Sequence, residues 1–360
     1  MVVLFPAIWF LLAAADFTQV SERAEQARTT GRIEDAVVLY SEGVQLRPAW
    51  ADGWWSLGTL LFEQQRFPEA GAALNRFVSL TPNAWTAYAP LALCEYETRH
   101  YDNAEKRFEQ WAAKKPPASK ALMADAFFHW ALLLTRSGRF EQALVLLTAQ
   151  AKAGNTGEAV TEAMGLASLR IPYLPEDYPA AEREPVWLAG RATLESRLRR
   201  FDQAAADAKQ LLLHYGNHPN VHYFLGIVSL DANDSAGASN EFQRELEISP
   251  RHVPALLQLV FYNLERGESG EALPLAERAV AIAPSDFVSH AALGKALYAA
   301  GRFEESAHQL ETARKIAPES PYVRWWLSQT YAALGRPDDA ERERAVFAKL
   351  KPRTPQEDAR

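Results

Sequence analysis

The chain has 360 residues, 48% of them apolar and 23% charged, a balance that excludes disordered, collagen-like and multi-span membrane classes. Its formal net charge of −7 and the absence of a basic half argue against a surface that tracks nucleic-acid phosphates. A single cysteine, Cys94, excludes an intramolecular disulfide and any cysteine-based metal cluster.

At the N-terminus, Val2 to Ala15 is an unbroken apolar run that ends in Ala13-Ala14-Ala15 before Asp16. It is shorter than the roughly 20 residues that a membrane-spanning helix needs. The small-residue ending reads as a signal-peptidase site, so residues 1–15 are expected to be a cleaved secretory signal. The mature chain would then be periplasmic or secreted, without a stable membrane span. Uncleaved, the chain would be cytoplasmic.

From there on the chain repeats itself. Prolines fall at Pro48, Pro82 and Pro116, and again at Pro250, Pro284, Pro318 and Pro352, every step within each set being 34 residues. Taking each proline as the end of a unit, nine units start at residues 17, 51, 85, 124, 185, 219, 253, 287 and 321. Other columns obey the same register. Position 20 is Ala in eight of the nine units and Ser306 in the other, a bias that one register must explain. Position 15 is Gly31, Gly138, Gly267, Gly301 and Gly335; position 7 is Leu57, Leu91, Leu225, Leu259, Leu293 and Leu327. Position 8 is small in eight units, from Ala24 and Gly58 to Gly294 and Ser328.

Within a unit, positions 4, 7, 8 and 11 lay one apolar stripe along a first helix, and positions 20, 24 and 27 lay another along a second. Small residues at 8 and 20 let the two helices approach. Glycine near 15 supplies the positive φ of a helix end, and proline near 32 stops the second helix. Helices of 12–14 residues are marginal alone, so each hairpin must bury its outer stripe on the next.

This pattern resembles the tetratricopeptide repeat family, whose signature is W-x2-L-G-x2-Y, then A-x3-F, then P. The clearest copy is Trp54-x2-Leu57-Gly58 with Ala70 and Pro82, although Leu61 and Leu74 stand where the family has aromatic residues. The resemblance spans about residues 17–354. It implies an all-α, right-handed superhelical solenoid of about nine helix-turn-helix units.

The register breaks twice. Ser119 to Met123 is an insertion between the third and fourth units, and residues 158–184 are extra between the fourth and fifth. Glu158 to Arg170 reads as an additional helix. The following IPYLPEDYPAAEREP is too rich in proline to be helical throughout. Two stacks are therefore expected, 17–157 and 185–354, around a joint at 158–184, with a polar tail at 355–360. The joint reads equally well as a flexible hinge or as a rigid elbow packed by Tyr173, Leu174 and Tyr178.

Catalytic signatures are missing: there is no G-x-S-x-G elbow, P-loop, G-x-G-x-x-G or H-E-x-x-H. His214, His218 and His222 are spaced by four, but Gly216 and Pro219 interrupt them, which favours a polar turn over metal ligation. Acid pairs such as Glu304-Glu305 and Asp338-Asp339 open second helices, where carboxylates complement the helix dipole. Cys94 sits among Leu91, Leu93 and Tyr96 and reads as a core thiol. Neither catalysis, metal nor cofactor is expected.

In the resembled family the first helices line a concave surface, and bound peptides contact positions 2, 5, 9, 12 and 13. Carried over, those positions include Trp55, Phe62, Tyr96, Phe128, Tyr223, Phe261, Tyr298, Tyr322 and Trp325, together with Leu93, Leu132, Ile227 and Leu257. Exposed aromatic groups are characteristic anchors for a partner. Position 5 has no Lys and position 9 no Asn, unlike the repeats that grip chaperone carboxylate tails, which favours an apolar or aromatic-rich ligand. The expected function is a non-catalytic scaffold that holds another protein, as an extended peptide or a partner helix, in an aromatic-lined groove. The rivals are a self-associating component of an envelope assembly and a metal-binding or enzymatic protein using residues 158–222.

Overall fold

The structure is a computed structural model that describes residues 5–350, with side chains from residue 16 onward. Residues 1–4 of the expected signal, 351–354 of the expected second stack and the tail 355–360 lie outside the described residues, and 5–15 are described as backbone only. The described residues form helices and connecting turns, without a strand.

The chain divides into two compact units, Met1–Leu198 and Arg199–Arg360. The first holds α1 (Phe5–Thr29), α2 (Ile33–Leu46), α3 (Ala51–Glu63), α4 (Phe67–Leu80) and α5 (Tyr88–Glu97). It continues with α6 (Tyr101–Lys114), α7 (Lys120–Arg136), α8 (Phe140–Lys152), α9 (Glu158–Ser168) and α10 (Arg183–Arg197). The second holds α11 (Phe201–Tyr215), α12 (Val221–Asp231), α13 (Ser235–Ile248), α14 (Val253–Glu265) and α15 (Ser269–Ile282). It ends with α16 (Phe287–Ala299), α17 (Phe303–Ile316), α18 (Pro321–Ala333) and α19 (Pro337–Leu350). Among the described residues, no helix is long and apolar enough to cross a membrane.

Within each unit a helix packs on the one before and the one after it. First helices also touch the first helices of adjacent hairpins, α3 on α5, α5 on α7, and α14 on α16 on α18. Such contacts between sequence neighbours are those of a solenoid.

The small-residue columns explain the packing. Position 20 is buried in all nine units, from Ala36 to Ala340. At position 8, a methyl group added to Gly58 would lie 2.8 Å from Leu74, and one added to Gly294 would lie 2.5 Å from Leu310. Leu74 and Leu310 both occupy position 24, so the glycine of the first helix receives the large side chain of the second. At position 15 the backbone is left-handed in all nine units. The five glycines share this conformation with Gln65 (φ 58°), Arg99 (φ 61°), Arg199 (φ 62°) and Asn233 (φ 62°).

In the inserted segment, Glu158–Ser168 form α9. It lies inside the first unit, and the division of the chain falls at Leu198, after α10. Helix α10 packs intimately on α9: a Cβ on Gly165 would strike the Val186 carbonyl oxygen, and one on Gly190 that of Thr161. Ser168 and Thr193 share a buried hydroxyl hydrogen bond of 2.7 Å at this contact. After α9, Leu174 is only 1% exposed and the Tyr178 hydroxyl donates to Glu162 Oε1 at 2.6 Å. Tyr173, the third residue named for the elbow alternative, is exposed.

Candidate functional site: the aromatic face of the first helices

The structure separates the nine aromatic residues into three environments. In the first unit, Trp55 is half-buried against Phe77, with ring centroids 5.2 Å apart. Phe62 meets Phe67 edge-on at 5.9 Å, and Phe128 meets His129 at 5.4 Å. Both are partly buried against the unit's core.

Tyr96 is not a free anchor. It is 8% exposed, wedged edge-on against Tyr101 at 5.5 Å and His129 at 4.6 Å. Burial pushes its hydroxyl pKa well up, reinforced by charges that include Glu176 and Asp177. These two carboxylates come from the segment after α9. Leu93 and Leu132, also at groove positions, are buried. His129 has Nδ1 2.9 Å from the Asp125 carbonyl and 3.2 Å from its carboxylate. Burial works against its imidazolium, but Asp125, aided by Glu97, prevails and raises its pKa.

In the second unit Tyr223 is likewise core, 7% exposed and packed on Phe242 and His252 at 5.7 and 4.7 Å. A short position-8 side chain, Gly226, draws Phe242 toward α12 and closes that part of the face. The remaining four residues stay accessible. Tyr322 and Trp325 are 39% and 41% exposed, while Phe261 and Tyr298 are half-buried. Trp325 leans on Phe347 of α19 at 5.4 Å. Tyr298 meets Phe303 at 5.3 Å and Trp326 at 5.5 Å, and Tyr322 meets Trp326 at 6.3 Å. Despite its exposed ring, burial of the Tyr322 hydroxyl pushes its pKa up to about 12, opposed by a hydrogen bond with the Trp326 indole.

Two residues absent from the sequence-based set complete this row. Trp326, at position 6, sits between Tyr298 and Tyr322. Lys295, at position 9, holds its ammonium 5.5 Å from the Phe261 ring centre and 5.3 Å from that of Trp326. Lys295 was legible in the register, as a cation in a column of groove residues. Trp326 was not, because position 6 is neither among the groove positions 2, 5, 9, 12 and 13 nor in the apolar stripe at 4, 7, 8 and 11. A cavity of about 340 Å³ lined by Glu277, Arg302, Glu305 and His308 shares no residue with the row, and Arg302 there is bonded to Glu305.

The histidines spaced by four have separate partners. His222 Nδ1 lies 2.5 Å from Glu241 Oε2, His218 turns to its neighbour's carbonyl, and the His214 ring packs near Tyr215. Among the described residues no group of three or more His, Cys, Asp or Glu could hold a metal ion. Cys94 is buried, and burial with the adjacent Glu95 pushes its thiol up to about 12, well away from a reactive thiolate.

A search among curated proteins finds no match. Among solved structures the chain is similar to MamA 41-end from Desulfovibrio magneticus RS-1, at 24% identity over 45% of this chain and 94% of that one, with a TM-score of 0.41. It is also similar to YrrB, described as a TPR protein with an unusual peptide-binding site, at 19% identity over 48% of this chain and 89% of that one, TM-score 0.40. The tetratricopeptide repeat profile matches at residues 21–84, 190–253 and 291–357, together more than half of the chain. With the 34-residue register, the glycine-to-leucine seats and the sequential hairpin packing, these matches show that the chain belongs to the tetratricopeptide repeat family.

Proposed function

We propose that the protein is a non-catalytic scaffold that captures an extended segment of another protein along the first helices of the second unit. The supporting observation is the aromatic row from Phe261 through Tyr298 and Trp326 to Tyr322 and Trp325, of which the last two remain substantially exposed. Large aromatic surface left open to water is costly unless a partner covers it. Groove residues are buried in both units, Leu93, Tyr96 and Leu132 in the first and Tyr223 and Leu257 in the second, but among the described residues the aromatic groove residues that stay exposed, Tyr322 and Trp325, belong to the second. Partner capture is accordingly assigned to the second unit.

A photo-crosslinking residue at position 325 tests this, with position 213 on α11 as the control because Leu213 is exposed on a second helix. The expected result is one discrete adduct from position 325 and none from 213. An adduct of twice the chain's own mass would instead show self-association, and equal labelling at both positions would defeat the reading. We further propose that the capture takes place outside the cytoplasm, after removal of residues 1–15. Mass spectrometry of the native protein's N-terminus is expected to find Asp16 first, and an intact Met1 would refute it.

A further inference from the structure

We propose that Lys295 sets the specificity of this row, and that the captured segment carries an internal acidic side chain flanked by aromatic or aliphatic residues. The proposal rests on the groove reading above and adds the chemistry of its occupant.

Lys295 stands alone in its charge. At groove positions 2, 5, 9, 12 and 13 of α12, α14, α16 and α18 it is the sole cation, and the residues nearest it in the row are Phe261, Tyr298 and Trp326. No carboxylate among the described residues forms an ion pair with it. The acids at the groove positions of these helices are Asp231 and Glu265, both at position 13.

The two rings do more than cover the ammonium. One is supplied by the preceding repeat and one by the following repeat, so the cation is held at a junction of three first helices. Aromatic faces attract the ammonium but leave its hydrogen-bond donors unanswered. A partner that laid only apolar groups across this point would strip water from a charge without replacing it, which is strongly unfavourable. A carboxylate would supply both the countercharge and the acceptors, in surroundings where a pair is worth more than on an open surface. A basic side chain there would be repelled. One residue thus favours acidic ligands and rejects neutral and basic ones. The aromatic flanks select the residues on either side, and an internal position follows because the row continues past Lys295 in both directions.

Display selection on the intact protein tests this, with a random 12-residue peptide library presented in two arms, one with blocked and one with free C-termini. The expected result, in both arms, is enrichment of peptides with one Asp or Glu between aromatic or aliphatic residues. Lys295→Met should abolish the acidic preference while keeping the aromatic one, and Lys295→Arg should retain both. For a selected peptide, replacing its acid by the amide should weaken binding about tenfold to the native protein and leave binding to the Met variant unchanged. Thermal melting of both variants, expected to match the parent, shows that the row is intact. Aromatic peptides without acidic enrichment would overturn the role of Lys295 and leave the groove standing. Enrichment only with free C-termini would overturn the internal carboxylate. Failure to enrich any peptide would overturn the groove reading as well.

Discussion

Position 15 offers a measurement in which packing is nearly absent and backbone conformation is isolated. Gly301 (φ 75°) and Gln65 (φ 58°) occupy the same place in different repeats, both solvent-exposed and both left-handed. A methyl group added to Gly301 would meet nothing within 4 Å. Gly301→Ala therefore changes no contact and only forces an L-residue into the left-handed region, at roughly 1–2 kcal/mol. Loss of glycine's unfolded-state freedom offsets about 0.5–1 kcal/mol of that. The expected net effect is destabilisation by about 0.5–1 kcal/mol. Gln65→Gly should do the reverse and stabilise by a similar amount, because Gln65 already bears the strain. Urea unfolding followed by far-UV circular dichroism measures both as shifts in midpoint at unchanged slope. Gln65→Ala is the control, since it stays left-handed without glycine's freedom and should be close to neutral. A lower midpoint for Gln65→Gly, or an unchanged one for Gly301→Ala, would show that the turn is not set by φ at this position.

Gly190→Ala should cost about 2–3 kcal/mol in unfolding free energy, because the added carbon strikes the Thr161 carbonyl of α9 and the helices must separate; a neutral result in the same urea assay would mean that α9 and α10 do not pack this closely. Trp55→Ala should destabilise by about 2 kcal/mol by removing its packing on Phe77, and Trp325→Ala by less than about 1 kcal/mol, since its ring is 41% exposed; equal losses in thermal melting would contradict the difference in burial. Because His129 is raised from the ordinary 6.5, the stability it contributes is full below that pH and fades as pH rises through its folded value. Unfolding free energy should therefore fall on going from mildly acidic to mildly alkaline buffer, and Asp125→Asn should flatten that slope; an unaltered slope would exclude the pair.

The fold was legible because the same packing problem is solved repeatedly. Glycine at 58, 226 and 294 is required where the side chain at position 24 enters the first helix, so it recurs at a fixed spacing that a sequence displays directly. The left-handed turn was only partly legible. Glycine marks it in five units, but Gln65, Arg99, Arg199 and Asn233 tolerate the same φ at a modest energetic cost, and nothing in their identity announces it. The partner of α10 was less legible still. The register gives no sign that it packs on α9, because the contact runs through Gly165 and Gly190, two glycines that fall in no shared repeat column.

The site was harder to read because an aromatic side chain at a groove position serves two ends equally well. Tyr96 and Trp325 are alike on the sequence register, one at position 12 and the other at position 5. What separates them is their surroundings: Tyr96 is enclosed between Tyr101 and His129 at 8% exposure, whereas Trp325, beside Phe347 of the last helix, is 41% exposed. A periodic pattern records which face a residue points to, but not whether neighbouring side chains cover it there. The repeats of the second unit keep their register from residue 219 to the end of α19, and their row stays open. Even there the period does not decide exposure: Tyr223 and Trp325 share position 5, yet the first is 7% and the second 41% exposed, because the side chains around each repeat differ.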